Sequence, residues 1–406
     1  MGIRQKSEVE FIIVMASLMS LVALAIDALL PAITEISKTI QVTDSKNNQL
    51  FITMIFLGLG FGQLISGPLS DSFGRKTVIY VGFIVFASAS LICIFATNLE
   101  MMIIGRVLQG IGLSAPRTIS IAMVRDRFSG NYMAKVMSFI VVIFILVPVI
   151  APAIGKLLLD SYGWKSIFYG QLVLGFFIMI WVWKRQPETL KIANRKKLNR
   201  TLFIEGAKEF VKYKHAVIFT LFSGFITGSF IVYLSASQQI FEQQYQLKEE
   251  FPYIFAGLAI SAGLATFLNG KLVMKMGMFK LVSFATIAFA IIPLLYILLF
   301  SGENNPSIYI LVLFLAGQFF SIGFLFGNTR ALAMEPIGHI AGIGAAINGF
   351  ISTIMAVPIA TYIGSYIDKT ALPLFIGFFV CGCIALLLIG NLKYIKPKKS
   401  LVSLLN

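Results

Sequence analysis

Four charged residues stand inside long apolar stretches of this chain: Asp27 in AIDALLPAI, Arg106 in RVLQG, Arg117 in GLSAPRTISIAMV and Arg330 in IGFLFGNTRALAM. Low dielectric disfavours the charged form of a carboxyl group, and a cation held there must find a partner or water. Asp27 is therefore a candidate proton carrier, with Arg106 able to hold its deprotonated form through a charge-assisted bond. The other reading of Asp27 is a fixed ion pair or a cap on a helix break before Pro31. Arg117 lies eight residues before Arg125, about 12 Å along a helix and so near the middle of a hydrocarbon core about 30 Å thick. Facing lipid there would cost at least about 2.5 kcal/mol, so Arg117 is expected to face a cavity. It shares roughly the helix face of Arg106, which points both toward the first span and Asp27. Three roles stay open for it: structural partner of Asp27, anchor for a substrate carboxylate or phosphate, or snorkelling cation. Arg330 is expected to snorkel.

Other reactive residue types are sparse. His215 and His339 fall at the ends of apolar runs, and Cys93, Cys381 and Cys383 lie within them at no metal-ligand spacing. No metal site, disulfide or cofactor is expected. An enzyme needs a convergent nucleophile, base or metal, which these residues do not supply. A membrane-bound sensor, the remaining alternative class, would need a signalling domain, and no loop is long enough for one.

The elements that must position these residues follow from composition. Of 406 residues 58% are hydrophobic and 13% charged, a balance that a water-soluble globular chain does not carry. Apolar runs of about 20 residues match the thickness of a bilayer as helices. Six are expected at Glu10 to Pro31, Asn48 to Leu69, Val78 to Ala96, Met101 to Val124, Met133 to Leu158 and Trp164 to Trp183. Six more follow at Ala216 to Ser235, Pro252 to Met274, Leu281 to Phe300, Ser307 to Leu332, Ile340 to Tyr366 and Pro373 to Leu392. With both termini cytoplasmic, roughly 24 Lys and Arg fall on inside segments against roughly 6 outside. That bias accounts for the net charge of +15 without nucleic-acid binding. It puts Lys196 and Lys398 inside, Lys46 and Lys369 outside.

The chain also repeats itself. IGLSAPRTISIAM from Ile111 echoes IGFLFGNTRALAM from Ile322, an offset of roughly 211 residues. Arg117 then corresponds to Asn328, and Asp27 to Gln238. In repeat-built transporters the substrate site lies near the midplane between the halves, which makes Arg117, Asn328 and Gln238 candidate substrate-binding residues. The expected organisation is an N-terminal six-helix bundle over 1–183, a basic cytoplasmic linker over 184–214 and a C-terminal six-helix bundle over 215–406.

GPLSDSFGRK, Gly67 to Lys76, joins the second and third spans. Its glycines permit a tight turn, and Asp71, Arg75 and Lys76 can bond helix ends and the interface. The motif resembles the signature loop of the major facilitator superfamily. RVLQG, Arg106 to Gly110, is similar to that superfamily's fourth-span motif. PVIAPAIG, Pro148 to Gly155, resembles the fifth-span motif of its drug:proton antiporters, with Ala151 where Gly is usual and Lys156 where a second Gly often sits. Together with AIDALLPAI, MVRDRF and GHIAGIGAAINGF, the set resembles the bicyclomycin-resistance (Bcr/CflA) branch along essentially the whole chain. The resemblance implies an all-α fold of twelve transmembrane helices in two pseudo-symmetric six-helix bundles, in a bacterial inner membrane. It further implies alternating access, with inward proton flow driving export of a drug-like amphiphile or secreted metabolite. Asp27 and Arg106 are the coupling pair it suggests. Gly67, Asp71, Gly74 and Arg75 would control the rocking, and Pro148, Pro152 and Gly155 a gating bend. An organic anion such as a carboxylate siderophore is the second substrate reading, suggested by Arg117. The expected partners are a small molecule, protons and lipid, with the chain acting as a monomer.

Overall fold

A backbone without water around it must satisfy its own hydrogen bonds, so long apolar runs become helices. The computed structural model describes residues 3–128, 130–195, 200–302 and 304–392, and among them the chain is helical with no strand. Helices α1 (Ile3–Asp27), α2 (Ile33–Thr39), α3 (Leu50–Phe73), α4 (Arg75–Ile94), α5 (Leu99–Arg127), α6 (Gly130–Tyr162) and α7 (Lys165–Arg185) come first. A short helix α8 (Arg200–Lys212) follows within the expected linker. The second set is α9 (Lys214–Gln238), α10 (Phe251–Met276), α11 (Met278–Leu299), α12 (Ile308–Met334), α13 (Ala341–Gly364) and α14 (Leu372–Leu392). Eleven helical segments among the described residues are long and apolar enough to cross a membrane. The 33-residue α6 lies between the fourth and fifth of them. Lys196 and Lys398 fall outside the described residues.

Two expected spans run differently. The first, expected over Glu10 to Pro31, contains a break: α1 stops at Asp27, and a 3-10 turn, Leu30–Ala32, leads into α2. Proline has no N–H and its ring crowds the carbonyl four residues back, which here belongs to Asp27. The seventh was read to Ser235, but α9 continues to Gln238 and passes into a π-helical turn, Gln239–Gln244. The two irregularities begin at Asp27 and Gln238, the positions paired by the repeat.

In the first set α5 packs on both α3 and α4, and α1 packs on α6. In the second α9 packs on α13, and α12 lies against α10 and α11. The sets meet mainly where α3 packs on α13 and α6 on α10, with smaller contacts from α3 and the Leu30–Ala32 turn to α9. At α3 and α13 the rings of Phe61 and Phe350 meet edge to face, 5.4 Å apart. The linker helix α8 docks on the second set, burying Phe210 with Ala216, Ile337 and Ile347. The α3–α4 turn, the last turns of α5 and α7 and helix α8 gather at one end of the molecule, its basic face.

Candidate functional site

Arg106 is fully buried on α5. Its Nε donates to the carbonyl of Phe51 on α3 at 2.7 Å, and Nη1 donates to the carbonyl of Ala25 on α1 at 3.1 Å and to Gln109 Oε1 at 2.8 Å. Gln109 in turn donates to Ser90 on α4 at 2.7 Å. The last carbonyls of a helix lack intrahelical partners, and Arg106 supplies one to the final turn of α1. The expected ion pair with Asp27 is not formed in this structure: the guanidinium is occupied by backbone oxygens of two neighbouring helices. Its Nη2 has no partner among the described residues.

Asp27 ends α1, is 4% exposed, and makes no hydrogen bond or ion pair among the described residues. It therefore does not cap the helix break beside it. Tyr233 of α9 lies within electrostatic reach of it. That tyrosine is wholly buried, and its hydroxyl has no partner among the described residues. Immediately after Asp27, the carbonyl of Ala28 meets Gly155 of α6. A Cβ on Gly155 would fall on the Ala28 oxygen and lie 2.7 Å from its carbonyl carbon, so the absence of a side chain there lets α6 press directly on the break. Pro148 and Pro152 lie within α6 on the approach to this contact.

A cavity of about 310 Å³ is lined by residues of α3, α5, α12 and α13 and by Arg75 of α4. Arg117 faces it, as expected of a cation near the middle of a span. Its expected direction toward the first span is corrected, because no described residue of α1 lines this space. Packing decides this: Arg106 is drawn into the contact of α1, α3 and α5, while Arg117, three turns on, meets the gap between the helix sets. Arg330 on α12 was expected to snorkel, but it lines the same cavity and lies within electrostatic reach of Arg117. Arg117 is half-buried and Arg330 more exposed. Asn328 does not line the cavity. It is buried against α10 in a reciprocal amide pair with Asn269, with Nδ2 2.6 Å from Asn269 Oδ1.

Toward the basic face the cavity reaches Gly67, Asp71, Arg75 and Arg125. Gly74 turns the chain between α3 and α4 with a φ of 99°, where a side chain would be strained. Arg75 then binds Asp71 at 2.5 Å, Ser70 at 2.7 Å and Asp126 at 2.9 Å, tying the ends of α3, α4 and α5 together. Glu188 accepts from the backbone N–H groups of Arg75 and Lys76, both at 3.1 Å, and so caps α4 with a negative charge where the helix dipole favours one.

The opposite end is closed by bonds between the two sets. Gln49 at the start of α3 donates to the carbonyl of Gly364 at 2.8 Å and reaches Gln239 at 3.4 Å. Gln238 lies here too, outside the cavity, donating to Thr34 and, at 2.5 Å, to Glu242. Lys156, the departure from the fifth-span pattern, bonds both Asp160 and Glu249 at 3.0 Å. Sequence reading missed Gln49, Lys156 and Glu242 as a group. Glu242 had one available signal, the apolar run Ala236, Ile240 and Phe241 continuing the helix past Ser235.

Comparison with known proteins agrees with this architecture. Residues 15–360 match the Major Facilitator Superfamily. The uncharacterized MFS-type transporter YdgK of Bacillus subtilis is 30% identical over 366 residues, covering 89% of this chain and 90% of that one. The bicyclomycin resistance protein homolog of Haemophilus influenzae is 28% identical over 392 residues, covering 95% and 96%. Among solved structures, the partially occluded inward open xylose transporter XylE of E. coli has the same fold, with a TM-score of 0.71 at 15% identity over 97% of this chain and 99% of that one.

Proposed function

The chain belongs to the major facilitator superfamily, as a multi-pass membrane transporter and not an enzyme, and we propose that it is a proton-coupled exporter working by alternating access. Its two halves are residues 1–183 and 215–406, joined by the basic linker. Counting α6, each contributes six spans in a bacterial inner membrane, with the basic face and both termini cytoplasmic. The cargo is a drug-like amphiphile or a secreted metabolite, in line with the Haemophilus relative being named a bicyclomycin resistance protein homolog. The observation that carries the reading is the cavity itself: lined from both halves, extending to the basic face, and closed at the far end by bonds between the halves. An opening on the basic face supports an exporter open to its loading side.

Asp27 is the proton carrier. Its burial without a partner, beside a glycine contact that any shift of α6 must disturb, supports a group that exchanges a proton as the halves rock. Arg106 acts as its positioning partner, holding the last turn of α1 with one nitrogen left to offer. The α3–α4 turn with Gly67, Asp71, Gly74 and Arg75, and the Pro148, Pro152 and Gly155 stretch of α6, are the gating elements. Gln238 serves the far gate, and Asn328 sets the shape of the second half behind the cavity wall.

A second reading of the cargo, an organic anion, is favoured by Arg117 in the cavity wall. Proteoliposomes given a pH gradient test the function. Asp27→Asn should still bind substrate but lose accumulation driven by the gradient, since the amide keeps the size and carries no proton. Wild-type coupling in that variant would remove Asp27 from the mechanism.

A further inference from the structure

We propose that the cavity binds a small organic dianion, one acidic group held by Arg117 of α5 and the other by Arg330 of α12. This rests on the organic-anion reading above and deepens it. Both arginines line the cavity, and neither guanidinium makes a hydrogen bond or ion pair among the described residues. They stand close enough to repel each other. Like charges sharing one cavity between the halves are unfavourable, and a structure that gives them no protein partner leaves the compensation to water or to an anion that enters.

The other charged groups around the cavity do not supply it. Asp71 is the only carboxylate among the described cavity-lining residues, and Arg75 already holds it at 2.5 Å. Arg125 stands exposed at the basic end and adds a third positive charge, which raises the local concentration of anions. The cavity therefore carries positive charge from both halves with nothing internal to neutralise it. Its size sets a limit on the guest. About 310 Å³ lies at the low end of the range for ligand pockets, roughly 300–1,000 Å³. The cavity wall also includes Ile121, Ile343 and Met334, apolar side chains that suit a short carbon skeleton separating two acids.

The placement is also mechanistic. Arg117 and Arg330 are not equivalent under the repeat, which pairs Arg117 with Asn328, so the site is asymmetric and bridges the halves instead of duplicating itself. A ligand with two acids ties α5 to α12, whereas one with a single acid satisfies one half and leaves the other cation repelled. Guanidinium forks favour carboxylate or phosphate oxygens in either place.

The test uses the purified full chain in detergent and a series of unbranched α,ω-dicarboxylates, with monocarboxylates and neutral diamides of the same length as comparisons. Isothermal titration should show binding of the diacids, with an optimum chain length, weakened by added salt. Arg117→Gln and Arg330→Gln should each weaken the best diacid roughly ten- to a hundredfold, the loss expected for hydrogen bonds to a charged group. Without ligand, both variants should unfold at or above the wild-type temperature, because repulsion is relieved, which shows that the binding loss is not a folding defect. Wild-type affinity in Arg330→Gln, or diamides binding as well as diacids, would overturn the proposal. Gradient-driven movement of ethidium without diacid binding would also overturn it while leaving proton-coupled export standing. Diacid binding in a protein that responds to no pH gradient would sink the export reading and keep the site.

Discussion

Gly155→Ala offers the sharpest check on the contact beside Asp27. A methyl at this position would overlap the Ala28 carbonyl oxygen and stand 2.7 Å from its carbon and 3.0 Å from Ala28 Cα. Carbon atoms rest at about 3.5–4.0 Å, so α6 must retreat by about 0.8 Å or more, against backbone and not against a flexible side chain. Overpacking of this kind costs about 1–3 kcal/mol, and the backbone obstacle places it in the upper half of that range. Alanine also raises helix propensity by about 1 kcal/mol over glycine, which would mask part of the loss. Gly257→Ala in α10 removes this ambiguity: it is the same chemical change within a helix, with no atom within 4 Å of the added methyl. The propensity gain cancels between the two, and their difference isolates the overlap at about 2–3 kcal/mol. Thermal unfolding of the two purified variants in detergent measures it. Gly257→Ala should melt above wild type and Gly155→Ala below it, with slowed transport in the latter. Equal shifts in the same direction would refute the backbone contact between α6 and the α1 break.

Asp71→Asn should slow transport while keeping its proton dependence, because it weakens one arm of the Arg75 network without touching the carrier; initial rates at several pH gradients check this. Gln49→Ala removes the bonds to Gly364 and Gln239, each worth about 1 kcal/mol net, and should raise the population open at the far face by several-fold or more, read from spin-label distances across that gate. Single cysteines at Lys46 and Lys369, in a background lacking the native three, should label from outside intact cells, and those at Lys196 and Lys398 should not. Labelling at position 196 would reverse the assigned orientation.

The helices, the repeat and the turn motifs were legible in the amino-acid order because each rests on local physics. Twenty apolar residues need a helix whatever surrounds them, Gly74 permits its positive φ by lacking a Cβ, and Pro31 crowds the carbonyl at position 27 wherever α1 lies. Even the shared irregularity at Asp27 and Gln238 follows the 211-residue offset. Arg117 could be assigned to a cavity because a midplane cation has few other places to go. Partnerships between side chains were not legible. Asp27 and Arg106 are opposite charges within reach of the same helix end, yet Arg106 is taken by the carbonyls of Ala25 and Phe51, acceptors that every residue carries and no residue type announces. Arg330 faces the cavity instead of lipid because of how α12 is rotated in its bundle, which hydropathy does not encode. The far gate joins Gln49 to Gly364, 315 residues away, and an amide and a glycine in an apolar chain give no sign of each other. Local backbone preference acts over a few residues and is written there, whereas the choice of partner depends on which faces of distant helices meet, a property that exists only once the whole bundle has packed.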